Sequence, residues 1–329
     1  PGLPRYADRA MDLFKGLPAA GLAWDEPHYG FAFWPDNGRA ISPTICDEYR
    51  RRFREDLGPR LIDLWYDVPD QRSALTRVRY AEILESGLAG LERHFLRRCR
   101  ARYTRPGRPF FCGIHRTMHE EMADDFLIGC ADYFRHNAGT SDGFTDSIFE
   151  REDSMLTMLM LARSLAPLTE SGRAFNNSWG FRPTEAHHAY YLPLMGAMNV
   201  RWIGHAYRSS YMFGPGYPHH PLWATIKGHV REQQRQLQQL AGAKPLADTA
   251  VLYTWAAPGL YPDNAMQVHR RTLLLLGSAL MRLNVQYLFV GEKQLAAAGV
   301  GAREFRLPVG TFKRLIVPWP GIMTEAAFA

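Results

Sequence analysis

Leu17-Pro-Ala-Ala-Gly-Leu-Ala-Trp24-Asp25-Glu26-Pro27-His-Tyr-Gly-Phe31 begins as a short apolar run and ends in an aromatic loop. Ala20–Trp24 reads as a β-strand that Pro27 stops, and two adjacent acids stand where the backbone leaves the sheet. An acid beside an indole is poorly solvated, so its pKa is pushed upward. A carboxylic acid that keeps its proton is what glycosidic bond cleavage uses as a donor. The plain alternative is a solvated pair of turn acids. What separates the two readings is whether other strands end in the same way.

They do. Pro109–Ile114 reads as a strand ending at His115, and Asp142–Thr145 as one ending at Asp146. Gly172–Asn176 ends in Asn177-Ser178-Trp179, and Val200–Gly204 in His205-Ala-Tyr207-Arg208. Helical stretches alternate with them: Thr44–Leu57, Ser73–Tyr103, one near Asp124–Phe134, Glu152–Leu165, Thr184–Met198 and Leu222–Leu240. In the longest, Leu75, Val78, Ile83, Leu84, Leu88, Leu91 and Phe95 recur at helical spacing. Strands alternating with helices predict an α/β protein with a parallel sheet. Strand ends that all carry polar or aromatic residues predict chemistry at the C-terminal face of a (β/α)8 TIM barrel. The five units are expected to be strands four to eight of such a barrel. Tyr6–Lys15 reads as helix with no initiator methionine before it, so the chain is expected to start inside a domain, as an N-terminally truncated fragment.

Ala241–Asp248 reads as a linker. Beyond it the order is strand Ala250–Trp255, helix Ala265–Leu283, strand Val285–Val290, helix Lys293–Ala298 and strand Arg314–Val317. That β-α-β-α-β order predicts a partial flavodoxin-like, doubly wound domain. The expected division is a partial barrel over 1–245 and the second domain over 246–329. The second block has no Gly-x-Gly-x-x-Gly, Gly-x-Ser-x-Gly or Gly-x-Cys-x-Gly, so no cofactor is expected there and its role is read as structural or oligomerising.

A chain of 329 residues has room for two domains, and 46% hydrophobic residues is ordinary for a globular protein. The net charge of +6 comes from dispersed arginines without a long basic run, which argues against a nucleic-acid partner. The apolar stretches Met155–Leu168 and Thr272–Val290 are interrupted by polar residues and fit buried elements, so no membrane span is expected. Cys46, Cys99, Cys112 and Cys130 lack a Cys-x-x-Cys spacing and suggest neither a zinc site nor a disulfide framework. Eight tryptophans are many; a sugar-stacking surface and a large core are the two explanations.

Trp24-Asp-Glu-Pro27, followed by Cys46-Asp-Glu-Tyr-Arg-Arg-Arg-Phe-Arg-Glu-Asp-Leu-Gly58, resembles the strand-four region of barrel glycoside hydrolases, family 42 β-galactosidases and α-L-rhamnosidase-like barrels above all. Val251-Leu-Tyr-Thr-Trp255, His269-Arg-Arg-Thr-Leu273 and Val317-Pro-Trp-Pro-Gly321 resemble the flavodoxin-like domain that follows such barrels and mediates trimerisation in family 42. The resemblance implies a carbohydrate substrate, a homo-oligomer formed through the C-terminal domain, and Glu26 as the acid/base with Asp25 beside it. It also implies a nucleophilic Glu at the end of strand seven. This chain has Phe175-Asn-Asn-Ser-Trp-Gly180 there, and the nearest acid, Glu185, falls on the following helix.

Asp146 is the alternative second carboxylate. Inverting glycosidases hold their two acids roughly 6.5–9.5 Å apart and retaining ones about 5–5.5 Å, and an inverting pair is expected, with Glu26 as acid and Asp146 as base. A capping or turn acid in Thr145-Asp-Ser147 is the other reading of Asp146. His115 and His119 have the i, i+4 spacing of zinc ligands on a helix, but they also suit sugar-hydroxyl recognition or plain surface polar groups. His205, Tyr207 and Arg208 suit hydroxyls too, or a core-capping cluster. Asn177 joins the expected substrate contacts, and Trp24 and Trp179 could form a sugar platform. Trp202 fits barrel core as well as it fits a sugar contact, Met155–Met160 reads as core, and the pairs His187-His188 and His219-His220 read as surface. The expected activity is hydrolysis of an O-glycosidic bond. Non-catalytic carbohydrate binding and a metal-dependent hydrolase built on His115, His119, His205 and Asp146 are the rivals.

Overall fold

A computed structural model of the chain describes residues 2–13, 21–25, 40–65, 70–105, 110–115, 132–148, 151–179, 184–203, 223–255 and 263–318. Helices and parallel strands alternate along it. The first block holds α1 (Gly2–Leu13), β1 (Gly21–Asp25), α2 (Pro43–Phe53), α3 (Gln71–Tyr103), β2 (Phe111–His115), α4 (Tyr133–Asn137) and β3 (Gly143–Ile148). It continues through α5 (Glu152–Leu165), β4 (Ala174–Trp179), α6 (Glu185–Ala197), β5 (Val200–Ile203) and α7 (Trp223–Gln239).

Local chemistry sets the helix ends. Asp70 opens α3, its carboxylate accepting from the Ser73 amide at 2.9 Å. Thr184 opens α6 through a capping box with His187. Asn199 and Asn284 adopt the left-handed conformation, with φ of 57° and 56°, just past helix ends. Asparagine tolerates that region better than most residues and turns the chain into the next strand there.

β1 pairs with β2, and β3 with β4 and β5, all parallel. The two sheets are joined where the Ser141 amide donates to the Cys112 carbonyl at 2.8 Å. One face of these strands is covered by helices. Cys112 and Ile114 of β2 pack with Phe95, Leu96 and Cys99 of α3 and Met11 of α1. Ala174 of β4 and Val200 of β5 pack with α5 and α6 in a larger core.

The second block is β6 (Thr249–Tyr253), α8 (Asp263–Arg282), β7 (Tyr287–Gly291), α9 (Glu292–Ala296), the short strands β8 (Gly299–Val300), β9 (Phe305–Leu307) and β10 (Gly310–Phe312), and β11 (Arg314–Ile316). Its parallel sheet has the order β11-β6-β7. β6 and β7 are buried along their whole length, which is why both read as unbroken apolar runs rather than alternating ones. Val251, Tyr253, Tyr287 and Phe289 join the core that contains α5, whereas Ala250, Leu252, Leu288 and Val290 join a separate core with Leu307 and Phe312.

The two blocks therefore share a core. Thr157 of α5 donates to the Leu274 carbonyl of α8 at 2.8 Å. A Cβ on Gly277 would stand 2.8 Å from Thr157 Cγ2, too close for a real contact. Gly277→Ala should accordingly destabilise the protein by about 1–3 kcal/mol, the usual range for overpacking. Equilibrium urea unfolding checks this, and an unchanged midpoint would mean that the two helices are not pressed together.

Several expectations shift. The helix expected near Asp124–Phe134 is seen only as α4, starting at Tyr133, while 116–131 lie outside the described residues. The antiparallel strands β8–β10 fill the stretch between the expected helix Lys293–Ala298 and strand Arg314–Val317, where the sequence pattern predicts no element; they are too short for any period to show. His188, read as surface, is buried: its Nδ1 lies 2.8 Å from the Thr184 carbonyl and its ring meets Trp202 edge-on. Met155–Met160 is core, as its pattern predicts. No helix among the described residues is long and apolar enough to cross a membrane.

Candidate functional site

The face of the first-block strands opposite the helices carries the candidate site. At its base, Phe144 of β3 stacks on Phe175 of β4 with ring centroids 5.3 Å apart, and Phe111 of β2 meets both edge-on at 6.0 and 6.1 Å. Arg201 of β5 lies over Phe175, its guanidinium carbon 5.6 Å from the ring centre, where burial lowers its pKa without removing its charge. Glycine is needed beside these rings. A Cβ on Gly113 would come within 2.8 Å of both Phe111 and Phe144, and one on Gly21 within 2.6 Å of the Phe111 Cβ. The aromatic floor fills the space that those two residues leave.

Side chains alternate across a strand, so every second residue above this floor belongs to the same face. Register then fixes which positions come together. Gly21 pairs with Phe111, Ala23 with Gly113 and Asp25 with His115. Phe144 pairs with Phe175, Asp146 with Asn177 and Ile148 with Trp179. Asp25, His115, Asp146 and Asn177 therefore occupy same-face positions towards the C-terminal ends of four parallel strands. Asn177 is buried. For Asp25, His115, Asp146 and Trp179 the description covers the backbone, as it does for Trp24, which has the opposite parity to Asp25. Glu26 follows β1 directly, and with His119, His205, Tyr207 and Arg208 it lies outside the described residues.

Two strand boundaries need correction. Asp146 does not end its strand but lies within β3, which runs on to Ile148. The reading of Asp146 as a helix cap fails, because α5 begins at Glu152 with Arg151 at its cap. β4 likewise runs from Ala174 to Trp179, not from Gly172 to Asn176. Its polar run Asn-Asn-Ser resembles a loop, yet each member has a cross-strand place. Asn176 and Ser178 lie on the helix-covered face and are buried there. The Asn176 Nδ2 donates to Thr145 Oγ1 at 2.9 Å, and its Oδ1 accepts from Ser147 Oγ at 2.7 Å. Sequence reasoning missed both this polar layer and the Phe111-Phe144-Phe175 floor. The available signal was strand parity, which separates Asn176 from Asn177.

Among the described residues no three His, Cys, Asp or Glu side chains are placed to hold a metal ion. At the other end of the strands Arg173 and Asp142 pair at 3.0 Å, so charged groups there are already engaged.

The fold is shared with two solved β-galactosidases. The chain superposes on a cold-adapted β-galactosidase from Rahnella sp. R3 with a TM-score of 0.58, at 13% identity, covering 88% of this chain and 48% of that one. It superposes on a catalytic mutant of Gan42B, a GH42 β-galactosidase from G. stearothermophilus, with a TM-score of 0.57, at 11% identity and the same coverages. The fold is glycoside hydrolase-like. The chain spans about half the length of these two enzymes. No protein-family model matches the chain, and no curated protein matches it by sequence.

Proposed function

We propose that the chain cleaves O-glycosidic bonds, with β1–β5 as strands four to eight of a (β/α)8 barrel and the second block as a flavodoxin-like domain. The observation that carries this reading is the register together with the shared aromatic floor: Asp25 with His115, and Asp146 with Asn177, take positions on the Phe111-Phe144-Phe175 face towards the C-terminal ends of the strands, where barrel enzymes place their chemistry. The strand order β11-β6-β7 supports the second assignment. Numbered among the parallel strands of the block it reads third-first-second, which in the opposite direction is the 2-1-3 that opens a flavodoxin-like sheet. Similarity to two β-galactosidases over 88% of the chain supports both.

In this reading Glu26, directly after β1, is the general acid that protonates the leaving oxygen. Asp146 is the base that activates water on the opposite side of the sugar ring, which makes the reaction inverting. Asp25 stands beside the acid as the third catalytic carboxylate, while His115 near the acid and Asn177 beside the base read hydroxyls. Trp179, His119, His205, Tyr207 and Arg208 complete the substrate contacts, and the second block holds copies of the chain together; Trp24 drops out of the expected platform, because its register partner Ile114 packs on the helix side of β2. A panel of aryl glycosides and oligosaccharides tests the activity, and an enzyme that releases no sugar from any of them is not this one.

One observation favours a second reading, a carbohydrate-binding relative without turnover. β4, strand seven in the barrel count, contains no carboxylate, and Asn176 and Asn177 fill the positions where a retaining nucleophile is expected. Oligosaccharide binding without release of product would establish it.

A further inference from the structure

The polar layer behind β3 and β4 has no evident purpose in packing. Thr145, Asn176 and Ser178 are completely buried and Ser147 nearly so, on the face that α5 and α6 cover with Met, Leu and Ala. Apolar residues would fill that space without the penalty of burying hydroxyls and an amide, which is offset only when each group is bonded. What the polar groups supply is direction. Asn176 pairs in register with Thr145. Its Nδ2 donates to Thr145 Oγ1 at 2.9 Å, while its Oδ1 accepts from Ser147 Oγ at 2.7 Å and from Ser178 Oγ. Thr145 Oγ1 in turn reaches the Phe175 carbonyl at 3.4 Å. The Trp202 indole extends the layer to β5 by donating to the Ser178 carbonyl at 3.3 Å. One amide thus grips β3 immediately before and immediately after Asp146.

We infer that Asn176 is a positioning residue: through Thr145 and Ser147 it holds the backbone of Asp146 at a fixed height beside Asn177. The inference rests on the reading of Asp146 as the base. Slippage by one residue would carry Asp146 to the helix-covered face, and parallel pairing through main-chain bonds alone does not prevent smaller shifts. Catalytic groups need placement to about 0.5 Å, and a displacement of about 1 Å can lower the rate roughly 10²-fold. A clamp behind the strand supplies that accuracy without occupying the substrate's side of the sheet.

The test compares Asn176→Ala, Thr145→Val and Thr145→Ser with the wild-type chain. The valine removes the hydroxyl at nearly constant volume and the serine restores it. Aryl-glycoside kinetics and amide hydrogen exchange over residues 145–148 and 287–291 are read together. Both Asn176→Ala and Thr145→Val should lower kcat by roughly 10–100-fold, within the range for a small misplacement, with KM little changed. Exchange should accelerate at 145–148 but not in β7, and Thr145→Ser should recover most of the rate. Unchanged kcat, or loss of protection spreading equally to 287–291, would overturn the inference. If the wild-type chain turns over no glycoside, the catalytic reading has failed by itself. Exchange then decides the clamp alone: faster exchange confined to 145–148 supports it, and unchanged exchange rejects it.

Discussion

Glu26→Gln should reduce turnover of glycosides with poor leaving groups by about 10²–10⁴-fold, the range for loss of a positioned general acid. The amide keeps the shape of the side chain but has no proton to give. The loss should be selective. An aryl glycoside whose phenol leaves readily needs little protonation, so its rate should fall far less. That contrast separates a missing proton from a damaged fold, because a disrupted site slows both substrates alike. Asp146→Asn should behave differently, slowing both, since water must be activated whatever the leaving group. Equal rates for wild type and Glu26→Gln on an unactivated substrate would remove Glu26 from the mechanism.

The second large effect is expected far from the strand ends. His136 of α4 lies between two carboxylates of α3, its Nε2 at 2.5 Å from Glu85 and its Nδ1 at 2.6 Å from Glu92. All three side chains are buried. A neutral imidazole has one N–H and satisfies one carboxylate, so the arrangement is best met by an imidazolium donating to both. Removing it takes from both buried acids the ring nitrogen that each lies against. His136→Leu should therefore destabilise the protein by about 3–5 kcal/mol, the penalty for breaking a buried ion pair on one side. That is a large share of the roughly 5–15 kcal/mol that holds a domain together. Replacing Glu85 and Glu92 by Gln in the same chain should recover much of the loss. Urea unfolding measures both, and a shift below about 1 kcal/mol for His136→Leu would contradict the assignment of charge.

Asp132 adds a pH dependence to this cluster. Its amide donates to Glu85 at 3.2 Å, and its own carboxylate caps α4 by accepting from the Arg135 amide at 3.0 Å. Burial first, and the Glu85 charge second, raise its pKa above the ordinary carboxylate value. The folded chain then keeps a proton that the unfolded chain releases. Stability contributed by this group is present below the ordinary value of 3.8 and is lost as pH rises from there through the raised folded value. Asp132→Asn keeps the cap and abolishes that loss, so its advantage over wild type should grow with pH across this window. An advantage that shrinks with rising pH would show the sign to be wrong.

How much of this was legible in the sequence differs by element. α5 begins and ends where its acidic start and apolar run place it, Glu152–Leu165, because a buried helix advertises itself at every position. β6 and β7 are legible for a related reason: strands covered on both faces become continuous apolar runs. β3 and β4 are not, because their helix-covered face is built from Thr, Ser and Asn. Such residues usually mark turns and loops, and only a partner strand in register reveals that they satisfy one another. That is why Asp146 and Asn177 read as strand ends although each lies within a strand. His188 was misread for a similar reason, since its burial depends on Trp202 from a different element. The buried Glu85-His136-Glu92 cluster was equally hidden, its members being separated by 44 and 51 residues along the chain. The candidate residues, by contrast, were legible individually. Their shared face was not, because register belongs to pairs of strands.

The most direct test of the acid/base pair is the distance between the carboxyl groups of Glu26 and Asp146 in a crystal structure of the chain. An inverting pair predicts a separation of roughly 6.5–9.5 Å across a single cavity, with space for one water beside Asp146. Carboxyl groups on opposite faces of the strands, or separated by well over about 10 Å, would contradict it.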